Sequence, residues 1–308
     1  MKTEVRESPT LAVVGNLTMD EVVTKRGYRV GPGGSALYVS ATAAFLGSRV
    51  DVVSQIGPDY SSPTLVWLEK RGVGVEDVRR TGRETCRFRL SYRHGSRTLR
   101  VLHDGGPVRP SQIRGRWKAL HLGPVFGEVP LTLIRVARRH SSFLSADLQG
   151  FLRSRAQGGI VKLRPVELVE AFRFLDLVKS TADEALVQTS GRDLVSAVRR
   201  ILDYGPRYVV VTLGRKGAIF AERNGEAYRI PGYPEPNVVD PTGAGDALVG
   251  GWLPAFLLTR DPVWATSVGS GLASLIVRRQ GLAKFRLSRE ELFRRSAWVY
   301  SRVRRIRS

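Results

Sequence analysis

Residues 240–246 read Asp-Pro-Thr-Gly-Ala-Gly-Asp and run straight into the apolar stretch Ala247 to Leu253. A glycine turn opening a helix exposes backbone N–H groups with no partner inside that helix, and the helix dipole adds positive potential at the same end. Such a place binds an anion, and small residues let the anion reach the backbone. A carboxylate there would only repel a phosphate. It makes chemical sense if Asp246 removes a proton from a hydroxyl nucleophile while the N–H groups hold a transferring phosphoryl group. In a bare Gly-x-Gly-Asp, the aspartate would read as an ordinary acidic residue in a first helical turn. The seven-residue string is more specific than that.

A second glycine cluster, Gly31-Pro-Gly-Gly34, precedes the small-residue stretch Ser35 to Gly47. Adjacent glycines let a ligand approach the backbone closely; alone, they also suit a tight turn into a packed helix. A Gly-x4-Gly-Lys-Ser/Thr phosphate loop is absent. The first strand ends in Gly15 followed by Asn16-Leu-Thr-Met-Asp20, so a dinucleotide fingerprint is absent too. His94, His103, His121 and His140 do not fall at metal-ligand spacing, and Cys86, the single cysteine, excludes a disulfide framework and a cysteine zinc site.

The elements that must carry these residues alternate. Short apolar runs at Leu11–Gly15, Val50–Ile56, Ala119–Leu122, Phe143–Asp147, Phe174–Val178 and Tyr208–Leu213 read as strands buried on both faces. Between most of them lie helical stretches such as Ser35–Leu46, Thr64–Arg71, Pro130–Arg139 and Asp193–Leu202, and after about Gly243 the chain reads as mostly helical. This alternation predicts a layered α/β domain. Two β-prone stretches interrupt it: Val22–Val30, and Thr85–Leu102 with period-2 alternation around His94-Gly95-Ser96. They predict a small separate sheet over one edge of the main one.

With 49 Lys+Arg (8 lysines, 41 arginines) against 28 Asp+Glu, the formal net charge of the 308 residues is +21. That charge requires a nucleic-acid partner to be weighed. The 42% hydrophobic fraction is globular and excludes a disordered polycation. No run approaches a spanning helix and the N-terminus lacks a signal-peptide core, so a soluble cytoplasmic protein is expected. The basic excess is dispersed along the chain, recognisable nucleic-acid motifs are missing, and a nucleic acid is not expected as the main partner. A dispersed positive field would raise the encounter rate of an anionic substrate.

Taken together, Gly15 with Asp20 beyond it, the Gly33-Gly34 helix, Thr212-Leu-Gly-Arg-Lys-Gly-Ala218 and the Asp240–Asp246 string resemble the ribokinase/PfkB family of carbohydrate kinases. The resemblance covers nearly the whole chain. It implies a three-layer α/β/α Rossmann-like (ribokinase-like) domain over 1–308, with lid segments at about 16–32 and 84–105, and ATP-dependent phosphorylation of a hydroxyl group. It implies Asp246 as catalytic base and Gly243, Ala244 and Gly245 as the anion hole. Asn16, Asp20, Gly33, Gly34, Gln149 and Arg153 would lie against the acceptor. Thr181, Thr212, Gly214, Gly217, Thr242, Ala273 and Gly281 would border ATP. The family's Asn-x-x-Glu motif falls on Lys179-Ser-Thr-Ala-Asp-Glu184, so Thr181 replaces the asparagine while Glu184 is kept, and would organise Mg2+ through water.

The stretches His121 to Glu128 and Asp147 to Arg153 resemble a subgroup that includes myo-inositol kinases, which makes a sugar or cyclitol the first expectation for the acceptor. A nucleoside is the second. A sugar phosphate would need basic lid residues, for which Arg87, Arg97 and Arg100 are candidates, depending on the hairpin register; Arg87 and Arg89 are also candidate polar contacts to the acceptor. A homodimer through the lid sheet would cover its edges. A nucleic-acid-binding protein built on the same fold is the alternative of another class.

Overall fold

The structure, a computed structural model, describes residues 10–24, 27–93, 96–167, 169–278, 281 and 286–306. Among them an eleven-stranded sheet runs in the order Arg304–Ile306, Ala227–Ile230, Ala218–Glu222, Tyr208–Thr212, Leu177–Thr181, Ser141–Asp147, Trp117–Leu122, Thr10–Val14, Arg49–Ile56 and Val73–Gly74, with Val78–Arg80 also paired to Arg49–Ile56. From Tyr208–Thr212 to Val73–Gly74 the neighbours are parallel. The three strands beyond Tyr208–Thr212 pair antiparallel.

Strand alternation explains why the apolar runs are continuous. Leu11 and Val13 belong to a core with Leu37, Trp252 and Leu272, from helices Ser35–Phe45, Ala244–Thr259 and Pro262–Ile276. Ala12 and Val14 belong to a second core with Leu133, Ile134 and Ile201, from helices Leu131–Arg139 and Leu194–Asp203. Helices therefore cover both faces of the sheet, as expected of parallel strands. No helix among the described residues is long and apolar enough to cross a membrane.

Two expected boundaries move. The strand read at Phe174–Val178 starts at Leu177 and runs to Thr181. Phe174 and Leu175 instead sit in the turn after helix Val169–Phe172, where Asp176 accepts the Leu144 N–H at 2.7 Å and ties the turn to the neighbouring strand. The chain end, read as helical, finishes in strand Arg304–Ile306, which joins the sheet beside Ala227–Ile230. A three-residue strand carries no readable period, and its partner is distant in sequence. The basic residues before it are also used internally: Arg295 is buried and bonds Glu235 at 2.9 Å and Glu291 at 2.7 Å.

A separate four-stranded sheet has the order Gly27–Gly33, Thr18–Thr24, Arg87–Arg93, Ser96–His103. The hairpin turn read at His94 and Gly95 and the Arg97 side chain lie outside the described residues. The register decides which face carries the arginines. Phe88, Leu90 and Val101 are buried in a small core with Cys86 and Val125. Arg89 bonds Glu21 at 2.6 Å, and Arg87 bonds Asp59 at 2.9 Å.

Candidate active site

A large cleft of about 1520 Å³ opens where the small sheet meets the C-terminal ends of the parallel strands, the usual place for a ligand on such a sheet. Asp20, Gly34, Gln149, Arg153, Thr181, Glu184, Thr212, Gly214, Gly217, Thr242, Gly243, Ala244, Gly245, Asp246 and Ala273 all line it. Residues far apart in sequence thus converge on one surface.

The helix after the glycine string begins at Ala244, with Gly243 in the left-handed conformation (φ 78°) as its N-cap. Glycine is required there: a β-carbon on Gly243 would sit 2.3 Å from the Tyr38 ring. Asp240 holds the turn by accepting the Thr242 N–H at 2.9 Å. The Ala244 N–H donates to Pro241 O at 3.3 Å, so it is not the free donor expected of it. The N–H groups of Gly243, Gly245 and Asp246 have no acceptor among the described residues, so the donor set is shifted by one residue around the turn.

The Asp246 side chain lines the cleft and is half-buried. Burial pushes its pKa above the ordinary aspartate range, and the Lys179 ammonium pulls against that. Lys179, which the sequence reading left without a role, is 3% exposed, lines the cleft and pairs with the fully buried Asp147 at 2.7 Å. Only the unusual sight of a lysine inside an apolar strand, Leu177-Val-Lys-Ser-Thr181, could have flagged it.

Thr181 caps the helix Ala182–Thr189. Its hydroxyl accepts the Glu184 N–H at 3.3 Å, and the Glu184 carboxylate accepts the Thr181 N–H at 2.7 Å. Thr181 is thus engaged in a capping box as an acceptor, and its own O–H donor stays available in the cleft wall. Glu184 is buried, with one carboxylate oxygen committed to the cap.

Three expected site residues do not line the cleft. Asn16 is 0% exposed; its amide donates to Gly106 O at 3.0 Å and its Oδ1 accepts the Gln55 N–H at 3.3 Å. It ties the first strand end to the 104–107 loop instead of facing an acceptor. Replacing Asn16 with alanine leaves those buried groups unpaired, at about 1–3 kcal/mol. Chemical denaturation should register that loss while the acceptor KM stays at its wild-type value; a KM raised by about tenfold or more would put Asn16 back at the acceptor. Gly33 makes room beside the cleft, since a β-carbon there would lie 2.2 Å from Asp20 Oδ2. Gly281 sits past the end of helix Pro262–Ile276, where a β-carbon would lie 3.0 Å from Arg29.

On the acceptor side, Phe88, Leu90, Leu99, Val125, Val161 and Leu163 line the cleft together with Asp20, Gln149 and Arg153, whose guanidinium lies 5.6 Å over the Phe88 ring and donates to Val125 O at 3.0 Å. Arg87, Arg89 and Arg100 do not line the cleft. The basic lid surface that a sugar phosphate would need is therefore not formed by these three arginines. On the donor side lie Arg215, Lys216 and Arg229, with Glu235 and Tyr233.

Comparison with known proteins agrees with this geometry. Residues 163–288 match the pfkB family carbohydrate kinase domain. The chain is 26% identical over 280 residues to a cytidine kinase of Thermococcus kodakarensis, covering 88% of this chain and 97% of that protein. It is 30% identical over 290 residues to an inositol 3-kinase of Oryza sativa subsp. japonica, covering 89% of this chain and 69% of that protein. A solved sulfate complex of a pyrophosphate-dependent kinase in the ribokinase family superposes with a TM-score of 0.81 at 25% identity, over 92% of this chain and 99% of the other.

Proposed function

This chain belongs to the pfkB family of carbohydrate kinases, and from that premise we propose that it transfers the terminal phosphoryl group of ATP to a hydroxyl of a nucleoside, with Asp246 as base. The observation that carries the phosphotransferase part is Asp246 in the cleft wall beside the N–H groups of Gly243 and Gly245, which have no acceptor among the described residues. Asp246 takes the hydroxyl proton, and the attacking oxygen gains nucleophilicity as it approaches phosphorus. The N–H groups hold the charge on the transferring group without having to reorganise.

The acceptor choice rests on the apolar wall. A nucleobase needs an apolar or aromatic slot, and a ribose needs a few convergent polar partners. Phe88, Leu90 and Leu99 supply the first; Asp20, Gln149 and Arg153 supply the second. A cyclitol is the second reading, supported by the same three polar groups and by the likeness to an inositol 3-kinase. For the donor, pyrophosphate is the alternative to ATP, supported by Arg215, Lys216 and Arg229 in the cleft and by the structural neighbour's donor.

Mg2+ fits the residues present. Among the described residues no cluster of three or more His, Cys, Asp or Glu side chains forms a cage. Magnesium, however, keeps several waters and needs only one or two carboxylates beside substrate phosphates. Glu184 would hold it through water, and the bound ion would supply charge neutralisation on the phosphates.

Product release measured with ATP or pyrophosphate against panels of nucleosides, cyclitols and sugars tests all three parts. We expect the highest kcat/KM on a nucleoside with ATP. A cyclitol exceeding every nucleoside by about tenfold or more would overturn the acceptor choice.

A further inference from the structure

We propose that Lys179 is a catalytic residue whose ammonium contacts the phosphoryl group in flight, an inference that rests on the phosphotransferase reading above. Lys179 lies on strand Leu177–Thr181, two residues before the helix cap at Thr181, and its side chain reaches beneath the glycine turn. A β-carbon on Gly245 would sit only 2.8 Å from Lys179 Nζ. The ammonium therefore stands directly against the backbone that carries the free N–H donors, and glycine at 245 is what leaves room for it.

The charges around it make the same point. Asp147, Glu184 and Asp246 all act electrostatically on this one ammonium. Burial alone would favour the neutral amine, but those three carboxylates hold the group protonated. Without Lys179, a phosphoryl group entering the site would meet three acidic side chains, offset by backbone dipoles and by Arg153, which acts on Glu184 and Asp246. A lysine ammonium has three N–H donors; among the described residues, one of them is bonded to Asp147. The bond also aims the side chain, because the Asp147 carboxylate is itself fixed by the Gln149 N–H at 3.1 Å. If this pair served packing alone, apolar residues would serve as well, since burying two charges costs what their attraction returns.

In the transfer step the acceptor O–H proton passes to the Asp246 carboxylate. The acceptor oxygen forms its bond to the terminal phosphorus as the bond from that phosphorus to the bridging oxygen breaks, and the bridging oxygen leaves with the electron pair on ADP. Lys179 keeps its proton throughout and supplies only positive charge to the equatorial oxygens. It also offers a fixed cation at the strand where the family asparagine is replaced by Thr181.

Removing the lysine alone would strand the buried Asp147, so the test uses the double variant Lys179→Met with Asp147→Asn, compared with wild type in melting, turnover and nucleotide binding. We expect a folded protein whose kcat falls by about 10²–10³-fold with the acceptor KM little changed. Its affinity for a non-hydrolysable ATP analogue should fall by at least about tenfold more than its affinity for ADP, because only the analogue carries the terminal phosphoryl group. Equal losses for the two nucleotides, or a kcat within about tenfold of wild type, would overturn the proposal and leave the pair a structural one. A double variant that did not fold would be replaced by Lys179→Arg, which keeps the charge but alters its reach; wild-type kcat for Lys179→Arg would likewise overturn it, and a loss of about tenfold or more in a stably folded protein would support it. Wild-type protein that bound neither nucleotide nor pyrophosphate would remove the phosphotransferase reading itself, a separate and distinguishable failure.

Discussion

Asp246→Asn is expected to cut turnover by about 10²–10⁴-fold, the contribution of a positioned general base, while the protein stays folded. The substitution keeps the side-chain shape at the first turn of helix Ala244–Thr259 and removes only the proton acceptor. Burial raises the Asp246 pKa, so the native state binds the carboxyl proton more tightly than the unfolded chain does. That sign has two consequences. Stability contributed by this group is present at low pH and is lost as pH rises from the ordinary aspartate value through the raised native one. At neutral pH the ionised carboxylate is thus a destabilising group, and Asp246→Asn should melt at or above the wild-type temperature. Activity runs the opposite way: kcat should climb as pH rises through the raised pKa, because only the ionised form accepts a proton. Near-normal turnover in the asparagine variant, or a flat acid limb in the wild-type profile, would defeat the assignment of Asp246 as base.

The second large effect is expected at Gly243. Alanine there must adopt φ 78°, and its β-carbon would meet the Tyr38 ring at 2.3 Å. Tyr38 is buried in helix Ser35–Phe45 and has little room to retreat. The turn must move, and with it the N–H donors of Gly243, Gly245 and Asp246. Loss of one such donor costs about 10²–10³-fold in kcat, and Gly243→Ala should lose at least that much. Gly72 provides the matched control. It also has a left-handed backbone, at φ 76°, but it lies outside the cleft and a β-carbon there meets nothing within 4 Å. Gly72→Ala should therefore show only backbone strain, about 1–3 kcal/mol in denaturation, with kcat nearly unchanged. Comparable kcat losses in the two variants would mean that strain, not displacement of the anion-binding turn, governs activity.

How much of this was legible beforehand depends on the range of the interaction concerned. The Asp240–Asp246 string announced both an anion site and a base, because a glycine turn, a helix start and a carboxylate are local facts. The continuous apolar strands announced a sheet covered on both faces, because burial on two sides leaves no polar alternation. The positive charge was already legible as dispersed, and Arg295, Arg87 and Arg89 show where part of it goes: into ion pairs within the fold.

What the sequence could not decide were matters of register and of long-range pairing. The alternation from Thr85 to Leu102 allowed either the arginines or Phe88, Leu90 and Leu99 to face the cleft. Shifting a strand by one residue exchanges its two faces, and only pairing with Thr18–Thr24, with Arg89 opposite Glu21, put the apolar set inside. Asn16 looked like an acceptor ligand until the 104–107 loop, about ninety residues away, claimed its amide. Lys179 and Gly245 are separated by more than sixty residues, and nothing local in either segment indicates that one ammonium stands beneath the other's backbone. The sequence by itself determined the chemistry available at the helix start and the layers that carry it. The tertiary structure decided which side chains surround that chemistry, because those contacts depend on strand register and on meetings between segments that no local periodicity encodes.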